Sequence, residues 1–125
     1  MARAEIHPGN CGFTTIVEAE ANGNRSVKLH IESRCKAIQR LAENLSEVDP
    51  LREISFRGEG PQVLALGQQY CSHAACPVPV GIIKVIELAA GLAVPGEVSI
   101  RLTQELPRSS PHSISSSTSA RVTPR

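Results

Sequence analysis

Between Val27 and Leu45 the apolar residues change their period, and this change limits the fold more than any other feature of the chain. Val27, Leu29 and Ile31 alternate with Lys28, His30 and Glu32, the two-residue repeat of a strand with one wet face. Ile38, Leu41, Ala42 and Leu45 then recur at helical spacing, with Ser33 placed to cap the helix and Asp49-Pro50 to stop it. The expectation is a helix over 34–47 that follows the strand directly.

Other segments extend this pattern. Phe13 to Glu20 reads as the partner strand of a hairpin, joined to Ser26–Ser33 through Ala21-Asn22-Gly23-Asn24, where Asn22-Gly23 tolerates the positive φ of a tight turn. Leu51 to Phe56 reads as a short strand before the loop Gly58-Glu59-Gly60-Pro61. Residues 62–70 fit one helical face through Val63, Leu66 and Tyr70, after Pro61 at a first helical position. Pro79 to Ala90 carries a broad apolar surface, with Pro79 near its start and Gly91 past its end, and is expected to be a core helix. Val98, Ile100 and Leu102 alternate with Ser99, Arg101 and Thr103, which predicts a closing strand. The pattern predicts an α+β fold: a small antiparallel sheet of three to four strands with two to three helices packed on one face.

Composition sets the outer limits. From Pro107 the chain holds seven Ser and three Pro in nineteen residues, too little apolar surface to offset the entropy of ordering. The expected organisation is a single folded domain over residues 1–106 and a disordered tail over 107–125. Phe13, Phe56 and Tyr70 are the only aromatic residues, so the core is aliphatic and no stacking platform for single-stranded nucleic acid is available. Thirteen Lys and Arg against twelve Asp and Glu leave a net charge of +1, which gives no steering toward nucleic acid. Arg3, Glu5, His7 and Pro8 interrupt any secretory apolar run, and Lys84 and Glu87 break the most apolar stretch, Val78 to Val94. A cytoplasmic protein without a membrane partner is expected.

Cytosolic thiols stay reduced, so the four cysteines direct attention to metal or redox chemistry rather than to a disulfide framework. Cys11, Cys35, Cys71 and Cys76 follow the spacing C-x23-C-x35-C-x4-C, which matches no local zinc finger or ferredoxin pattern. Each nevertheless falls where a predicted element begins or ends. Such loops converge at one end of a sheet-plus-helix domain, and a helix N-terminus favours the thiolate that binds soft metals. The competing reading is four ordinary buried thiols filling an apolar core. His73, between two cysteines, is either a ligand or hydrogen-bond donor to a bound sulfur, or an exposed loop histidine.

Three stretches carry a resemblance: Asn10-Cys11-Gly12-Phe13-Thr14-Thr15, Ile31-Glu32-Ser33-Arg34-Cys35, and His73-Ala74-Ala75-Cys76-Pro77-Val78-Pro79. Together they resemble a family of short uncharacterised prokaryotic proteins that brings no established activity. More distantly, the chain is similar to the U-type iron-sulfur cluster scaffold proteins. Those place a cysteine beside a glycine before a hairpin strand, a second where a strand enters a helix, and a third at the start of a later helix. Cys11-Gly12, Arg34-Cys35-Lys36 and Tyr70-Cys71-Ser72-His73 occupy these situations in the same order. Cys76 is additional, and Phe13 stands where the scaffolds have an acidic residue. The resemblance implies a U-type scaffold-like metal-binding domain.

The resulting expectation is an iron-sulfur cluster held by Cys11, Cys35, Cys71 and Cys76, with His73 beside it, and another protein that receives the cluster or electrons. Two alternatives stay open: a structural zinc site of the same four thiolates, and a thiol redox or sulfur-handling protein with Cys71 and Cys76 as a reversible pair and Cys35 as the low-pKa thiol. An enzyme is the less expected outcome. Gly58-Glu59-Gly60-Pro61 lacks the features of a phosphate-binding loop, and no serine has a nucleophile-elbow context.

Overall fold

The computed structural model describes residues 1–23 and 25–106. The chain divides into one compact unit over Met1–Pro95 and a second over Gly96–Arg125. The tail expected over 107–125 lies outside the described residues.

The first unit is an α+β fold. Its four antiparallel strands lie in the order β1-β2-β3-β4, with β1 Ala2–Ile6, β2 Thr15–Ala21, β3 Val27–Ser33 and β4 Glu47–Val48, and the sheet is open. The strand register sorts the sheet into two faces. Ala4 pairs with Val17 and Val17 with Ile31, so that Ala2, Ala4 and Ile6 share a face with Thr15, Val17, Ala19, Val27, Leu29 and Ile31. That face meets the helices; Arg3, Glu5, Glu18, Lys28 and His30 stand on the other. The alternation in the sequence therefore marks the buried side correctly, and β1, which sequence reasoning missed, carries the same repeat in Ala2-Arg3-Ala4-Glu5-Ile6.

Four helices complete the unit: α1 Lys36–Glu43, α2 Pro50–Glu53, α3 Gln62–Tyr70 and α4 Val78–Ala89. Helix α4 lies against β1 and β2, and α1 against β3. Ile38 and Leu41 of α1, Val63 of α3, and Val78, Ile82, Val85 and Ile86 of α4 join Val17, Ala19 and Val27 in the core. Gly81 lets α4 approach the sheet, because a Cβ there would lie 2.6 Å from Ile6 Cδ1. Past the end of α4, Gly91 takes φ +77, the left-handed conformation that the sequence placed after this helix.

Three expectations are corrected. The first helix is shorter than 34–47. Cys35 occupies its N-cap position without a side-chain capping bond, Ser33 instead accepts the N–H of Cys35 at 3.1 Å, and Asn44 ends the helix.

Residues 51–56 contain no strand. Asp49 accepts the N–H of Leu51 at 3.0 Å and Pro50 sits in the first turn, so the dipeptide expected to stop one helix opens the next.

Residues 98–103 form no strand either, despite their alternation: 96–106 carry neither helix nor strand and are exposed throughout. Period two reports which side chains would share a face, while a strand also needs a neighbour to receive its N–H and C=O groups.

Candidate metal centre

The cysteines sit where four local structures end. The loop between β1 and β2 carries Cys11 in a turn closed by the N–H of Gly12 donating to the carbonyl of Gly9 at 3.0 Å, with Gly9 and Gly12 both at positive φ. Cys35 opens α1. Cys71 closes α3, its N–H donating to the Gly67 carbonyl at 2.9 Å, and Cys76 precedes α4 in a turn where its N–H donates to the His73 carbonyl at 3.2 Å. All four thiols are free.

The sheet register places two of these ends at the same end of the sheet. Ile6 pairs with Thr15, and Thr15 with Ser33, so the Cys11 loop and the strand exit leading to Cys35 leave the sheet at the same end. Gly81 against Ile6 brings the first turns of α4 to that end as well.

Cys35, Cys71 and Cys76 are partly buried at the border of the core, whereas Cys11 is exposed. Burial pushes the Cys71 thiol above its ordinary value, and the nearby Cys76 and Cys35 thiols, with a hydrogen bond to Cys76, push it the same way. Cys76 and Cys35 thus both lie near enough to Cys71 to act on its thiol. Cys11 is not one of these neighbours. Among the described residues, no three histidine, cysteine, aspartate or glutamate side chains have an arrangement that could hold a metal ion as they stand.

Cys71 and Cys76 border an open cavity of about 340 Å³ that His73, Gly67, Pro79 and Val80 also line. His73 is exposed on its wall. A Cβ on Gly67 would lie 3.0 Å from Pro79 Cγ, so this glycine allows α3 and α4 to close on each other beneath the cysteine turn.

Three residues hold the frame, of which sequence reasoning gave a structural role to Ser33 alone, as a helix cap. Thr15 is fully buried; its hydroxyl donates to Ser33 Oγ at 3.0 Å, and Ser33 Oγ in turn accepts the N–H of Cys35. Glu53 is 1% exposed, and its two carboxylate oxygens accept the N–H groups of Gln62 and Val63, which fixes the start of the helix that ends in Cys71. Thr15 and Ser33 were recognisable as polar residues on an apolar strand face. Glu53 gives no local signal, because its partners lie nine and ten residues away.

Among the described residues no helix is long and apolar enough to cross a membrane. No curated protein and no solved structure gives a significant match to the chain. The model of a family of unknown function (DUF6951) matches residues 2–102, and the chain belongs to that family.

Proposed function

We propose that this member of a family of unknown function binds an iron-sulfur cluster through Cys35, Cys71 and Cys76, with Cys11 as the fourth thiolate, and passes the cluster or its electrons to another protein. The observation that carries this reading is that Cys76 and Cys35, which come from two other element ends, both lie near Cys71 and act on its thiol at the half-buried border of the core. A core needs no such grouping. Burial and the neighbouring Cys76 and Cys35 thiols disfavour the ionisation of Cys71, a cost that a soft cation removes by displacing its proton.

The donor chemistry fits a cluster or zinc, since both take thiolate sulfur. The metal-free side chains do not form a closed cage, so loading requires them to draw together, and Cys11 lies on a glycine-bearing loop at the same end of the sheet. The similarity to U-type scaffolds favours the cluster over zinc: a Cys-Gly pair before a hairpin strand and a cysteine between strand and helix suit that pattern. His73 lines the cavity with Cys71 and Cys76, and in this reading it would donate a hydrogen bond to a bound sulfur.

A second reading has its own observation. The Cys71–Cys76 contact suits a reversible dithiol pair. The upward shift of Cys71 counts against it, because a neutral thiol is a poor nucleophile.

Anaerobic reconstitution of the full chain with ferrous iron and sulfide separates these readings. A coloured protein whose visible thiolate-to-iron absorbance falls sharply in Cys35→Ser, Cys71→Ser and Cys76→Ser supports the cluster. Undiminished absorbance in Cys11→Ser returns the site to three cysteines. Colourless protein with stoichiometric zinc assigns a structural metal, and metal-free protein that forms a reversible Cys71–Cys76 disulfide assigns the dithiol.

A further inference from the structure

We propose that the cavity beside Cys71 and Cys76 is the entrance through which a cysteine on a short, uncharged segment of an acceptor protein displaces these two thiolates and takes the cluster, with Cys35 released last. The proposal rests on the cluster reading given above.

The four thiols differ in what faces them. Cys71 and Cys76 line the open cavity of about 340 Å³, whereas Cys35 and Cys11 do not. Residues 72–75, between the first pair, are exposed and carry neither helix nor strand. Cys35 is tied into regular structure instead: its N–H donates to Ser33 Oγ at 3.1 Å, and its carbonyl accepts the N–H of Gln39 at 2.9 Å at the start of α1. A sulfur entering from the cavity therefore meets Cys71 and Cys76 first.

The walls select the occupant. No Asp, Glu, Lys or Arg lines the cavity; Gln68 and Ser72 offer neutral polar contacts, and Pro79 and Val80 apolar ones. A charged group would leave water here without a permanent opposite charge to meet it, which disfavours small anionic thiols and favours a cysteine between uncharged neighbours. The volume lies at the small end of ligand clefts, so it admits a few residues of extended chain and excludes a folded module. Val80, 51% exposed in the first turn of α4, leaves apolar surface at the cavity for such a segment to cover.

Each exchange conserves charge and oxidation state. A bond forms between iron and the acceptor's sulfur, the bond to Cys71 or Cys76 breaks, and the proton of the acceptor's thiol ends on the released cysteine.

The test uses the full chain, reconstituted anaerobically with ferrous iron and sulfide and mixed with an excess of one of two capped peptides. One carries a cysteine between two alanines, the other a cysteine between two aspartates. Per loaded cluster, iron is expected to leave the protein fraction at least tenfold faster with the alanine peptide. Val80→Trp and Ala74→Trp, each adding bulk to the cavity wall, are expected to slow that peptide at least tenfold and to remove the preference; whichever variant keeps the wild-type circular dichroism spectrum serves. A readout free of iron is the alkylation of each cysteine by iodoacetamide in the metal-free protein, which the same variants should slow at Cys71 and Cys76 and leave unchanged at Cys11. Equal rates for the two peptides, transfer that survives both substitutions, or alkylation of Cys71 and Cys76 that neither slows overturns the proposal and leaves the cluster reading intact. Wild-type protein that takes up no cluster overturns the cluster reading, and the proposal with it.

Discussion

Glu53 caps a helix that begins nine residues after it: its Oε1 accepts the N–H of Val63 at 2.9 Å, and its Oε2 that of Gln62 at 3.1 Å. Pro61, at the N-cap position of α3, has no side-chain oxygen to serve these donors. The buried carboxylate replaces the local cap and ties α2 to the helix that presents Cys71.

Removing the acceptor strands two backbone donors at a dry helix start. Glu53→Ala is expected to destabilise the protein by about 2–3 kcal/mol in urea unfolding, and Glu53→Gln, which keeps one acceptor oxygen, by less. Equal losses for the two variants would show that packing, rather than capping, is the main contribution of this side chain.

The Thr15–Ser33–Cys35 chain predicts non-additive mutations. Ser33→Ala leaves the buried Thr15 hydroxyl without its acceptor and is expected to cost about 1–3 kcal/mol, and Thr15→Val in the same protein should recover part of that loss. Because Ser33 also receives the Cys35 N–H, both variants should, if the proposed metal site is correct, bind iron more weakly than wild type in reconstitution while remaining folded. Strictly additive losses in a double-mutant cycle would refute the coupling.

Gly81→Ala tests the approach of α4 to the sheet. The added methyl meets Ile6 at 2.6 Å from Cδ1 and 2.8 Å from Cγ1, so a loss of about 1–3 kcal/mol is expected, partly relieved by Ile6→Val. A neutral Gly81→Ala would mean that this helix is free to shift.

Cys71 makes the reduced, metal-free protein sensitive to alkaline pH. Its folded-state pKa is raised, so the folded chain holds this proton after the unfolded chain has released it. The resulting stabilisation is complete below the ordinary thiol value of 9.0 and is lost as pH rises from there through the folded value. Unfolding free energies between pH 8 and 11 should fall more steeply for wild type than for Cys71→Ser, and iodoacetamide at neutral pH should modify exposed Cys11 before Cys71. Parallel pH slopes would contradict the assignment.

Sequence alone determined the elements whose apolar repeat and end signals agree. The alternation at Val27–Ile31, the helical spacing at Ile38 and Leu41, and the Pro79 and Gly91 boundaries of α4 each depend on nearby residues, and each reappears in the fold. The same repeats could not decide 51–56, where a short apolar run fits either period and Asp49 as a cap tips it to helix. They could not decide 98–102 either, since alternation describes a face and says nothing of a neighbour. For the cysteines, sequence placed all four at element ends. Only the tertiary packing decided that Cys76 and Cys35 would act on Cys71 while Cys11 stayed exposed. The physical reason is range: propensity and capping act over a turn or two of chain, while thiols 36 and 41 positions beyond Cys35 meet it only because the core between them is packed in one way.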